Sequence, residues 1–145
     1  MTATYRVLIA DKIAADGLAP LRDDPRFELI TKPGLSLADL TEALTEVDAV
    51  IVRSAAKVPR EALAKTTRLK VIGRAGVGVD TIDVEAATEK GIAVLNAPAG
   101  NTISAAELTM ALMLAVARRV AAADRSMKAG AWDRGKLGGG ELYGK

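Results

Sequence analysis

A chain of 145 residues, half of them apolar and only 3% aromatic, can hold one compact domain and part of a second, with a core built from Ala, Val, Leu and Ile. It has no cysteine, which excludes disulfides and thiolate metal sites, and no histidine, which removes the commonest acid-base group and metal ligand. Its net charge of +2 arises from interspersed acids and bases with no basic run among aromatics, so no nucleic-acid partner is expected.

The amino-terminal MTATYRVLIADK carries an apolar run too short for a signal peptide and no cleavage pattern, which makes the cytoplasm the expected compartment. Tyr5 to Ala10 reads as a buried strand, followed by a helix from about Ala14 to Arg22. Phe27 to Thr31 is a second strand, and Ser36 to Thr45 a second helix with Ser36 as its N-cap. Asp48 to Val52 is a third strand, before a helix from Pro59 to Lys65 in which Pro59 suits the first turn. Leu69 to Gly73 is a fourth strand, then comes a helix from Asp83 to Lys90 that Gly91 can cap, and a fifth strand from Ile92 to Asn96.

Strands alternating with helices at this spacing predict an α/β fold, a flavodoxin-like doubly wound parallel five-stranded sheet of order 2-1-3-4-5 over residues 1–100. Ligands of such sheets bind at the carboxyl ends of the strands. That rim carries Asp11, then Arg53 and Ser54, then Arg74 to Asp80, then Asn96 to Asn101.

Residues 101–145 differ in character. Ser104 and Glu107 have capping-box spacing, and Leu108 to Val116 is uncharged on every face, so a long crossover helix to about Ala123 is expected. It is too short for a membrane span and suits a domain crossing or a subunit interface. The glycine-rich end, AGAWDRGKLGGGELYGK, reads as an extended linker. Gly139, Gly144 and Lys145 match the start of a phosphate-loop pattern, but no strand precedes them and the match is taken as coincidence.

Among the rim segments, GRAGVGVD (Gly73 to Asp80) follows a strand and precedes a helix, so its backbone amides can approach an anion; a tight turn with no ligand explains it equally. It is not a dinucleotide fingerprint, because Thr81 stands where the third glycine belongs. Arg53 can grip a carboxylate or phosphate, or pair with a neighbouring acid; Ser54 can donate a hydrogen bond, or begin the turn. NAPAGNTISAAE, with Asn101 or Thr102 as cap, can close one side of a site or serve as a hinge. The acidic pairs Asp23–Asp24 and Asp80–Asp83 show no acid-base logic and read as solvated or capping groups.

Together, VLIADKIAADGLAPL, DAVIVRSAAKVPREAL, LKVIGRAGVGVDTIDVEAATEKGIAVLNAPAGNTISAAELTMALMLAVAR and SMKAGAWDRGKLGGGELYGK resemble the D-isomer-specific 2-hydroxyacid dehydrogenases, in the family's order over nearly the whole chain. RAGVGVD followed by NxPxGN and the AEL helix carries the resemblance, while VRS and WDR favour the branch acting on 3-phosphoglycerate. The resemblance implies that Arg53 and Ser54 contact the substrate phosphate and carboxylate, with Arg74 a supporting cation and the Gly76–Gly78 backbone a holder of the carboxylate. It further implies that Val77 faces the nicotinamide, that Asn101 lies near substrate, and that Arg134 serves a neighbouring subunit's site. NAD would be the parent's cofactor, bound tightly only beyond this chain, since family members continue into a GxGxxG turn and later supply Arg, Glu and His. The chain is thus expected to be the substrate-binding part of a homo-oligomeric enzyme, inactive alone, with no metal and no membrane partner. Two other readings stay open: a peptide-binding module, as in corepressors of the superfamily, or a substrate domain for glyoxylate or hydroxypyruvate.

Overall fold

A computed structural model describes residues 4–144. Its elements run β1 (Tyr5–Ile9), α1 (Ala15–Arg22), β2 (Phe27–Thr31), α2 (Leu37–Leu44), β3 (Ala49–Val52), α3 (Arg60–Leu63), β4 (Val71–Arg74), α4 (Val84–Glu89), β5 (Ala93–Asn96), α5 (Thr102–Ala117) and α6 (Val120–Lys128), followed by a short 3-10 turn at Arg134–Lys136. The five strands are all parallel in the order β2-β1-β3-β4-β5, as the alternating pattern predicts. The chain divides into two compact units between Gly100 and Asn101.

In the first unit, alternation along each strand sends residues to opposite faces of the sheet. Leu8, Val50, Val52 and Ile72 pack under Leu40, Leu44, Leu63 and Ala87 of the helices on one face. Val7 and Ile9 pack with Leu18 of α1 on the other, with Ile51 beside them. Helix starts follow local chemistry. Ser36 and Asp83 cap α2 and α4 by accepting from the N–H groups of Asp39 and Ala86, and Gly91 stops α4 in the left-handed region at φ 69°. Asp23 adjoins the end of α1, and Asp24 accepts from Arg26.

Three sequence expectations are corrected. The fourth strand runs Val71–Arg74 rather than Leu69–Gly73: Leu69 is buried, yet ladder pairing starts only at Ala49 opposite Val71. Arg74 is therefore the last strand residue instead of the first loop residue.

The long helix starts at Thr102 with Asn101 at the cap position, so Ser104 lies inside it and forms no capping box. It also stops at Ala117, because Arg119 adopts φ 53° and restarts the helix as α6. The glycine-rich end is no featureless linker either. The N–H of Gly140 donates to the Ala117 carbonyl (2.8 Å), and the Arg119 guanidinium to the Lys136 carbonyl (2.8 Å). A Cβ at Gly139 would sit against the backbone of Ala117 and Arg118, so close approach is what requires glycine there. Lys145, the last member of the phosphate-loop match, lies outside the described residues. No helix among the described residues is long and apolar enough to cross a membrane.

Candidate functional site

The carboxyl ends of β1 and β3 lie side by side, and the residues just beyond them form a cleft of about 310 Å³ lined by Asp11, Lys12, Gly34, Arg53 and Ser54. Asp11 is only 6% exposed. One of its oxygens, Oδ2, accepts from the backbone N–H groups of Arg53 (2.6 Å) and Ala56 (3.1 Å), so the turn after β3 is wound around a carboxylate. The Arg53 guanidinium lies back toward β1, donating to the Lys12 carbonyl at 3.3 Å. From the β2 side, Gly34 turns at φ 80° and its N–H donates to the Ala10 carbonyl at 3.3 Å, a conformation that favours glycine. The structure thus brings Arg53 and Ser54 into one cleft. It adds Lys12, which sequence reasoning overlooked; the signal was available, since Lys12 follows a strand end on the same rim.

Arg74 lines a different cleft, of about 240 Å³, with Ile51, Leu95 and Asn96, so the two rim arginines do not share a cleft. Its side chain folds back over Gly76, and its Nε is buried with no hydrogen-bond partner among the described residues. The Gly76–Gly78 turn is pinned at two points. The Ala97 N–H donates to the Gly76 carbonyl (2.9 Å), and the Asn96 side-chain amide donates to the Val77 carbonyl (2.6 Å). The Gly76 N–H is committed to the Arg74 carbonyl at 2.9 Å. That leaves the amides of Val77 and Gly78 as the ones without a protein acceptor among the described residues.

Both glycines are also closely approached by neighbouring side chains. Neither Gly76 nor Gly78 has a positive φ; a Cβ at Gly76 would meet the Arg74 guanidinium, and one at Gly78 would come within 2.8 Å of Asp80 Oδ1. Val77 is 40% exposed at the crest of the turn.

The Gly76–Gly78 turn does not lead directly onto an open helix N-terminus. Helix α4 begins only at Val84, well after the glycines, and its N-terminus is closed by the Asp83 carboxylate (2.8 Å to the Ala86 N–H), which repels rather than attracts an anion.

The carboxylates with shifted acidity lie away from the rim. Hydrogen bonds from Arg68, with help from the Arg6 N–H, hold Asp48 below the ordinary aspartate range at the amino end of β3. Arg60 does the same for Glu89, and Arg26 for Asp24. Each has an arginine partner that accounts for it, so all three are structural. Among the described residues no cluster of His, Cys, Asp or Glu can hold a metal ion.

Two of the expected site residues belong to the second unit. Asn101 occupies the cap position of α5, its carbonyl accepting from the Ala105 N–H (2.8 Å) while its side chain makes no capping bond. Arg134 opens the 3-10 turn beside Trp132 and Ser126, in a hollow of about 290 Å³ within that unit.

Comparison with known proteins gives a consistent picture. The family described as D-isomer specific 2-hydroxyacid dehydrogenase, catalytic domain, matches residues 7–133. D-3-phosphoglycerate dehydrogenase of Methanocaldococcus jannaschii is 51% identical over 140 residues, which are 97% of this chain and 26% of that protein. Among solved structures, the TT0316 protein from Thermus thermophilus superposes with a TM-score of 0.82 at 35% identity, covering 94% of this chain and 45% of that one. The NAD+-bound 3-phosphoglycerate dehydrogenase of Entamoeba histolytica gives 0.70 at 29% identity, covering 80% and 40%. The chain spans about a quarter of the length of the curated relatives it matches.

Proposed function

The chain belongs to the D-isomer specific 2-hydroxyacid dehydrogenase family, and from that premise we propose that it is the substrate-binding portion of an NAD-dependent dehydrogenase acting on 3-phosphoglycerate. The observation that carries this reading is the cleft between β1 and β3, where Arg53, Lys12 and the Ser54 hydroxyl line one small concavity. Two cations and a hydroxyl, beside an Asp11 carboxylate that accepts from the Arg53 and Ala56 amides, suit a phosphate or carboxylate, which a guanidinium can grip with two parallel hydrogen bonds. Similarity to D-3-phosphoglycerate dehydrogenases over 97% of the chain supports the choice among 2-hydroxy acids.

The division of labour follows from what the chain contains. Oxidising a 2-hydroxy acid removes a hydride from C2 and a proton from its hydroxyl, and NAD supplies the hydride acceptor in the parent enzyme. With no histidine and no dinucleotide fingerprint in its sequence, this chain's part is to bind and orient. Arg53 and Ser54 hold one anionic end of the substrate. The Val77 and Gly78 amides, with Arg74 in support, receive the other, and Val77 offers an apolar surface to the nicotinamide side. The family resemblance supports a role near substrate for Asn101, and one toward a neighbouring subunit of a homo-oligomer for Arg134. The cytoplasm is the proposed compartment.

The test is an NMR titration of the 145-residue chain with 3-phosphoglycerate, glyoxylate and hydroxypyruvate. With only part of a closed site, binding no tighter than about millimolar, or about 4 kcal/mol, is expected for 3-phosphoglycerate. Arg53→Ala should abolish the shifts. Equal shifts in that variant would remove Arg53 from the site, and a preference for glyoxylate would move the substrate class.

An apolar groove of about 380 Å³ between α2 and α3, formed by Leu35, Leu37, Leu40, Ala56 and Pro59, favours a second reading as a peptide-binding module. Leu37→Glu separates the two: it should abolish peptide capture if that reading holds and leave the 3-phosphoglycerate titration unchanged.

A further inference from the structure

A nearly buried carboxylate is an expensive choice unless its position is used, because burial strips its hydration and demands hydrogen bonds in return. Asp11 is such a group. Among the described residues it has no salt-bridge partner, and the bonds that reach its side chain come from two amides of one turn, those of Arg53 and Ala56. A packing role alone would be served by an apolar residue, as Val7, Leu8, Ile9 and Ala10 serve it just upstream.

The two amides sit three residues apart and converge on a single oxygen, Oδ2, so the carboxylate fixes both ends of the segment Arg53–Ser54–Ala55–Ala56. The next residue, Lys12, fixes the head: its carbonyl accepts from Arg53 Nη1. The pair Asp11–Lys12 therefore holds the backbone of Arg53 at one point and its guanidinium at another. Hydrogen bonds to an ionised acceptor are roughly twice as strong as neutral ones, which suits Asp11 to ordering a turn that has little burial of its own.

We infer that Asp11 is a positioning residue, whose carboxylate sets the turn that presents Arg53 and Ser54 to the anionic end of the substrate. The inference rests on the functional reading above for the identity of that anion. Its physical consequence is preorganisation: an anion meets the turn already ordered, and a loosened turn lowers apparent affinity by the fraction of time it is correctly formed.

Asp11→Asn, which keeps size and one acceptor oxygen but loses the charge, and Asp11→Ala, which loses both, provide the test in the full chain. Hydrogen exchange at the Arg53 and Ala56 amides and relaxation of the Arg53 Nε–H are measured without ligand, with the Leu8, Val50 and Ile72 amides as the control for an intact fold. Titrations use 3-phosphoglycerate and, separately, inorganic phosphate.

The expected result is graded in step. Protection of the two turn amides falls from wild type to Asn to Ala, Arg53 becomes more mobile, and affinity falls alongside, by about tenfold for a turn formed a tenth of the time. Control amides do not change. Loss of protection at unaltered affinity would reduce Asp11 to a structural residue and overturn the inference, as would undiminished protection in both variants. If Asp11→Ala does not fold, Asp11→Asn alone carries the comparison. Wild-type silence toward 3-phosphoglycerate would count against the substrate assignment instead. Inorganic phosphate then decides: phosphate shifts at Arg53 that weaken in Asp11→Asn keep the inference, and their absence overturns it.

Discussion

Alanine at position 76 would place a Cβ against the Arg74 guanidinium, with Cζ 3.1 Å away and Nη1 closer still. The obstruction is the far end of a flexible side chain, not backbone, and Gly76 does not have a positive φ. Alanine is therefore permitted by the main chain, and the reduced freedom of the unfolded state favours it by about 0.4–1 kcal/mol. Displacing the guanidinium also frees an Nε that is buried without a partner among the described residues.

The net stability change for Gly76→Ala should stay within about 1 kcal/mol, or roughly 4–8 °C in melting temperature for a domain of this size. Affinity should respond more. If Arg74 supports the substrate through one charge-assisted hydrogen bond worth about 1.5–3 kcal/mol, losing it weakens binding about tenfold to a hundredfold. Gly91→Ala is the opposite control: nothing lies near its Cβ, but φ is +69°, so it should lower stability and leave affinity intact. Thermal melts of both variants and an NMR titration with 3-phosphoglycerate, following the Arg74 Nε–H, read both quantities. A large fall in melting temperature for Gly76→Ala, or an unmoved Arg74 resonance, would refute this account of why glycine stands there.

Three further outcomes are expected. The 145-residue chain should transfer no hydride between 3-phosphoglycerate and NAD, since it has no histidine and no dinucleotide fingerprint; NADH formation above a mock preparation would overturn this. Asp48, held below the ordinary aspartate range chiefly by Arg68, contributes stability above its unfolded value and loses it as pH falls through the lower folded value. Melting temperature should thus decline below about pH 4, and Arg68→Gln should shrink that decline; an unchanged acid slope would show that the pair is not responsible. Helix α5 is uncovered within its own unit, with Leu108, Leu112 and Val116 exposed, so the chain should self-associate to cover them. Sedimentation showing a clean monomer across a concentration series would contradict it.

What was legible from the sequence was the part set by local rules. Alternation and apolar runs marked all five strands, and the spacing of helices between them required parallel pairing. Ser36, Asp83 and Gly91 announced helix ends because capping is satisfied within three residues of chain. That Arg53 and Ser54 lie just beyond the carboxyl end of β3 followed from where the apolar run stops, whereas Arg74, read as a loop residue, is the last residue of β4.

Contacts between distant residues decided the rest. Asp11 meets Arg53 across 42 positions, and no local pattern says that the acid will be buried beneath that turn. The roles of Gly76 and Gly139 depend on what occupies the space beside them, an arginine head in one case and passing backbone in the other. The break at Arg119 opposes the helical preference of its neighbours, and the chain returns there through Gly140 to Ala117 and Lys136 to Arg119. Propensity and periodicity describe one stretch of chain at a time. Which cleft a side chain enters, and which amide a buried carboxylate must satisfy, depend on stretches that meet only after the sheet has assembled.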